Sequence, residues 1–137
     1  MTLQSFSIAY ACVLVMALMP IICAGIAKSG TMSIPRGEGG YDNHDPRSWM
    51  QRQTDWRARA NNAQANTFEA LPFFFVAIVI AHQLQASQRW VDLLAVAFVL
   101  LRAAYVWAYV ADKANLRSLV WVLALIANIA ILLVGVR

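Results

Sequence analysis

Charge is scarce in this chain. Only 13% of its 137 residues are charged and 61% are hydrophobic, where soluble domains carry roughly 25% charge. That balance excludes an ordinary soluble globule and points to an integral membrane protein. Cysteine is scarcer still. Cys12 and Cys23 lie in one apolar run, and a helix would hold them about 16 Å apart, too far to bridge. They read as small buried apolar residues, and no disulfide framework organises the fold. There are two histidines and no HExxH or CxxC. His44, in YDNHDP with Asp42 and Asp45, reads as solvated loop. His82 falls at the opposite membrane border, so the two make no bis-histidine haem site. The Gly37, Gly39 and Gly40 cluster opens no helix, so no phosphate-cradling loop is present. The net charge is +4, but the basic residues gather at the borders of apolar runs. They read as topology signals, and no nucleic-acid partner is expected.

Long apolar runs are abundant. They predict one four-span membrane domain over residues 1–137, with spans at about residues 5–27, 55–85, 89–111 and 116–136. The first run is too long for a signal peptide and no Lys or Arg precedes it, so it reads as a retained span. Pro20 and Pro72 lie inside spans and are expected to bend them. Residues 28–54, rich in glycine and proline, are expected to form an irregular loop. Trp49, Trp56, Trp90, Trp107 and Trp121 fall near the borders, as an aromatic belt does. Asn128, the lone polar residue inside span four, reads as helix-packing glue. Lys28, Arg36, Arg47, Arg52, Arg57 and Arg59 gather at the first loop and its border, and Lys113 and Arg117 at the third. Only Arg89 and Arg137 lie on the other side. The positive-inside rule then puts both loops in the cytoplasm and both termini outside.

The second span opens on RARANNAQANTFEALPFFF, residues 57–75. At helical pitch Arg59, Asn62, Asn66 and Glu69 fall on one stripe. Glu69 lies roughly 21 Å into this helix, and Arg102 roughly 15 Å from the cytoplasmic end of span three. Each charge alone costs roughly 2.5–3.5 kcal/mol or more at the bilayer centre. Their matching depth predicts a paired or ligand-bridged unit, within or between subunits. Arg102, Tyr105 and Tyr109 share a face of span three. Two polar stripes below a basic border suit an anionic, hydrogen-bonding ligand that enters from the cytoplasm. The same stripes also suit a polar zipper that merely holds helices together.

The pattern Asn66-x-x-Glu69-x-x-Pro72-x-Phe74, preceded by Gln64, resembles the second-helix motif of the MAPEG superfamily, the membrane-associated proteins in eicosanoid and glutathione metabolism. Arg102-x-x-Tyr105-x-x-x-Tyr109, followed by Arg117 and Ser118, is similar to the family's third-helix pattern. The resemblance covers essentially the whole chain. It implies an all-α four-helix bundle that forms a homotrimer and binds glutathione between neighbouring subunits. The matched ligand-binding positions are Gln64, Asn66, Glu69, Arg102, Tyr105 and Tyr109, with Lys28 at the end of helix one. Arg117 matches the arginine that polarises the glutathione thiol. One position departs from the pattern. Asn62 stands where many catalytic members have arginine, with Arg59 one turn earlier as the candidate substitute.

These readings lead to a bacterial inner-membrane protein, a glutathione (or similar thiol) transferase or peroxidase acting on apolar electrophiles that arrive through the lipid. The alternative is a non-catalytic scaffold or accessory subunit of a larger membrane complex, which keeps the polar zipper without the thiol chemistry. A small multidrug transporter needs a membrane carboxylate as proton relay, and Glu69 matched to Arg102 is ill suited to that.

Overall fold

The computed structural model describes residues 6–136. Residues 1–5 and 137 lie outside it, and with them the expected start of span one and the border charge Arg137. Four long helices carry the chain: α1 (Ile8–Lys28), α3 (Asp55–Gln83), α4 (Gln88–Val110) and α5 (Ala114–Val134), with a short α2 (Pro46–Gln51) before α3. All four long helices are long and apolar enough to cross a membrane. Both α1 and α3 continue without a break through Pro20 and Pro72.

Side-chain caps report the helix directions. Arg57, at the start of α3, donates to the carbonyls of Ala27 (2.8 Å) and Ser29 (2.7 Å) at the end of α1. Arg59 donates to Val110 O, at the end of α4, at 3.1 Å. Asp92, near the start of α4, accepts from the Ala9 amide at 2.8 Å, at the start of α1. So α3 runs antiparallel to α1 and α4. The sharp turns between helices use left-handed residues, Gln85 (φ 53°) and Asp112 (φ 59°). Each charge meets the helix end of opposite polarity, a carboxylate at an N-terminus and guanidinium groups at C-termini.

The paired helices α3 and α4 form the middle of the bundle, with α1 and α5 on its flanks. Among the described residues α1 and α5 do not touch. Alanines allow the close approach: Ala9, Ala63, Ala77, Ala81, Ala95 and Ala124 are all buried, as the small-residue rule for membrane helices expects. Phe74 and Phe98 stack at 4.4 Å between α3 and α4. Much of the remaining apolar surface points outward, including Leu14, Ile21, Leu100 and Ile126, toward lipid or another copy.

The first loop is more ordered than its composition suggests. A 3₁₀ turn spans Arg36–Glu38. A Cβ on Gly40 would overlap the Ile34 carbonyl, so only glycine fits there. The Asp45 side chain caps α2 by accepting from the Ser48 amide, and Pro46 opens the helix. Hydrogen bonds from Ser48 hold the Asp45 carboxyl below the ordinary carboxylate range. Trp49 departs from the aromatic belt: it is buried, stacked edge-on against Tyr41 at 5.1 Å, and donates to Gly39 O.

Arg57 is thus the pin between the first loop and the bundle. Arg57→Ala should cost about 1–2 kcal/mol, because two carbonyls at the end of α1 lose a charged donor. Denaturation of the detergent-solubilised protein measures this. Arg57→Lys should recover only part, since an ammonium does not reproduce the planar two-carbonyl grip.

Candidate functional site

Helices α3 and α4 bring the two predicted polar stripes together. Arg102, only 1% exposed, donates from Nη1 to Asn66 Oδ1 and from Nη2 to Thr67 Oγ1, both at 3.1 Å. Thr67 in turn donates to Ala63 O at 2.7 Å, and Asn66 Nδ2 donates to Glu69 Oε2 at 3.2 Å. Glu69 is exposed on the protomer and makes no direct ion pair with Arg102; among the described residues the one salt bridge is Arg36–Asp42. The expected pair is therefore relayed through the Asn66 amide. The buried cation takes neutral oxygens, while the carboxylate is left on the protomer surface within a membrane-spanning helix, where it must face a cavity or other protein rather than lipid.

Thr67 was not among the residues that the motif singles out. Its neighbour Asn66 lies about 100° away on the helix. A threonine inside a span is itself a candidate partner for a buried cation, and that was the available signal.

From Arg102 a ladder of two aromatic rings between two cations runs toward the helix ends. The Arg102 guanidinium lies 4.3 Å from the Tyr105 ring centre, Tyr105 and Tyr109 meet edge-on at 5.7 Å, and the Arg117 guanidinium lies 4.4 Å from the Tyr109 ring. Arg117 is on the first turns of α5. Its backbone amide is used by Lys113 O at 2.8 Å, so the guanidinium and the Ser118 hydroxyl are the donors left there. A cavity of about 180 Å³ is lined by Asn66, Tyr105, Arg117, Ser118 and Trp121.

A model of the MAPEG family matches residues 8–137 of this chain. The chain belongs to that family. It is therefore a multi-pass membrane protein of the family of glutathione and eicosanoid metabolism. No curated protein and no solved structure matches it.

In this MAPEG protein the resemblance-derived residues divide into two sets. Asn66, Glu69, Arg102, Tyr105, Tyr109 and Arg117 gather on the α4–α5 side of α3. Gln64 and Lys28 line a separate cavity of about 460 Å³ on the α1–α2 side, with Arg47 and Asn61. Gln64 and Asn66 are two positions apart, which turns them about 200° from each other on the helix. Lys28 Nζ lies 4.4 Å from the Tyr41 ring centre. Arg59 joins neither set, because it caps α4. Asn62 is exposed, so no guanidinium occupies the turn before Asn66 on this stripe.

Proposed function

We propose that this MAPEG protein binds glutathione between the subunits of a homotrimer and presents its thiol to apolar electrophiles arriving through the lipid. The observation that carries this reading is the Tyr105–Tyr109–Arg117 ladder beside a cavity that also meets Asn66. It gathers a cation, phenols and an amide where an anionic, hydrogen-bonding ligand is to be held. Glutathione supplies a thiol that becomes nucleophilic on ionisation. The 180 Å³ cavity is smaller than the roughly 300–1,000 Å³ of ligand sites, so one protomer fits only part of the tripeptide. The opposite face of α3, with Lys28 and Gln64, is the complementary half for a neighbour to offer. A ring of identical, head-to-tail interfaces joins two such unlike faces.

Within the site, Arg117 and Ser118 hold the thiol end in its ionised form. Tyr105 and Tyr109 orient it, and Tyr109 also fixes the Arg117 guanidinium. Asn66 and Glu69 meet the ligand's amide and amine. Lys28 and Gln64 of the neighbour meet its carboxylates.

Calorimetric titration of the purified protein with glutathione tests the reading, and subunit mixing tests the shared site. Read by thiolate absorbance at pH 7 with glutathione present, Lys28→Ala/Gln64→Ala trimers and Arg117→Ala trimers should each lack complete sites. Random co-assembly of the two should restore about a quarter of the sites, since both faces must come from undamaged subunits. Failure to restore any would confine the site to one chain.

The scaffold reading has its own support. Arg102 is already bonded to Asn66 and Thr67, Arg59 to Val110 O, and Asn62 replaces an arginine. A protein whose titration shows no glutathione heat, with its fold intact, is a scaffold or accessory subunit.

We further propose a bacterial inner-membrane location with both termini outside the cytoplasm. The lopsided border charge supports it. In a background without Cys12 and Cys23, a cysteine at Ser33 should resist an impermeant thiol reagent in intact cells, and one at Thr2 should react. The reverse labelling would invert the orientation.

A further inference from the structure

Among the described residues, two side-chain polar atoms in the bundle are buried without a hydrogen-bond partner: Arg102 Nε, a donor, and Asn128 Oδ1, an acceptor. Arg102 is 1% and Asn128 2% exposed. The packing role expected of Asn128 leaves that oxygen unexplained, because none of the described residues bonds it. Such orphans are uncommon, and each calls for a reason. Both residues line one cavity of about 140 Å³ between α3, α4 and α5. It adjoins the Arg117 cavity through Asn66 and Trp121, which line both. Besides Arg102 and Asn128 its polar lining is Asn66 and Glu69, and the other walls are apolar, with Ala70, Phe98 and Trp121 among them. Trp121 is exposed at its rim.

We propose that this cavity seats the hydroxyl head of an apolar molecule, a long-chain or aromatic alcohol reaching it from the lipid. A hydroxyl is donor and acceptor at once. Its oxygen takes the Arg102 Nε–H and its proton goes to Asn128 Oδ1, so both orphans are satisfied by one group. Water carries the same pair of functions. The apolar walls favour the alcohol, whose carbon chain gains burial that water does not. The unequal polarity of the pocket also sets its selectivity. An alkane would leave both polar atoms unpaired, and a carboxylate would have no proton for Asn128 Oδ1. This cavity shares Asn66 and Glu69 with the proposed thiol site but is not lined by Arg117 or Ser118, and filling it does not require glutathione.

The test uses the full-length protein in lipid nanodiscs without glutathione, so its outcome is independent of thiol binding. The probes are bromodecanol, with bromine next to the hydroxyl-bearing carbon, and bromodecane. Bromodecanol should quench tryptophan fluorescence saturably, while bromodecane quenches only in proportion to its partitioning. Trp121→Phe should remove the saturable component. Asn128→Leu should weaken bromodecanol about tenfold, the size of one well-placed hydrogen bond, and leave bromodecane unchanged. That variant is expected to melt at the same or a higher temperature, since it removes an unpaired buried oxygen. Ala70→Leu fills the pocket without touching either polar atom and should also abolish saturable quenching. The proposal is overturned if alcohol and alkane quench alike, or if Asn128→Leu keeps the bromodecanol affinity within about twofold. Unchanged binding in Ala70→Leu overturns it as well.

Discussion

Arg102→Ala should cost about 3–5 kcal/mol of stability, the range for stripping a buried charged network of one member, while Glu69→Gln should cost less than about 1 kcal/mol. The asymmetry follows from where the two side chains sit. Arg102 is buried and serves Asn66 Oδ1, Thr67 Oγ1 and the face of Tyr105 at once. Its removal strands an amide oxygen and opens a void beside Phe98. Each loss is of order 1–3 kcal/mol. Glu69 is exposed and accepts one bond, from Asn66. Arg102→Met, which refills much of the volume, should fall between the two. Guanidine or thermal unfolding in detergent, followed by tryptophan fluorescence, ranks the three variants. Equal losses for Glu69→Gln and Arg102→Ala would mean that a neighbouring subunit brings Glu69 against Arg102 as a direct pair.

Helices were the most legible level, because a membrane span is written in twenty consecutive residues and needs no partner to be recognised. The ends of α3, α4 and α5 fall within a few residues of the expected spans. The caps were harder to read. Arg57 and Arg59 stood out as border charges, yet their partners are carbonyls of other helices, Ala27 and Val110, which no local pattern specifies. The short helix α2 has a local signature inside the glycine-rich loop: Asp45-Pro46-x-Ser48 is an N-cap followed by proline at the first helical position. Likewise the Gln64-x-Asn66 spacing already puts the two side chains on opposite faces of the helix, so no single cavity of a protomer takes both. The partnerless Asn128 oxygen had no sequence signal. Whether an asparagine in a span finds a partner depends on three helices at once.

Arg117→Ala should change the pH profile of thiol chemistry more than its size. If Arg117 holds the bound thiol near pKa 6.5 against about 8.5 free, the thiolate fraction at pH 7 falls from about three quarters to about 3% in the variant. A thiolate absorbance difference should therefore drop about 25-fold. The conjugation rate falls less. Thiolate nucleophilicity rises with thiol pKa, with a slope of about 0.4–0.5, so the two-unit rise returns nearly tenfold and leaves the variant about threefold slower at pH 7. The sign reverses above the free pKa. At pH 9 both thiols are mostly ionised, and the more basic one is the better nucleophile, so Arg117→Ala should overtake the wild type. By linkage, Arg117→Ala should also weaken glutathione about fourfold at pH 7 and more at higher pH, because the wild type binds the ionised thiol that the variant does not, so the rates are compared at saturating glutathione. A structural role for Arg117, such as bracing Tyr109 across their 4.4 Å contact, predicts something else: a uniform loss at every pH, with no crossing. Tyr109→Phe separates the two. It keeps the ring under Arg117 and removes only the hydroxyl, so it should leave the crossing in place and lower the rate modestly throughout. A wild-type thiol that titrates at its free value removes Arg117 from the chemistry, whatever the binding affinity.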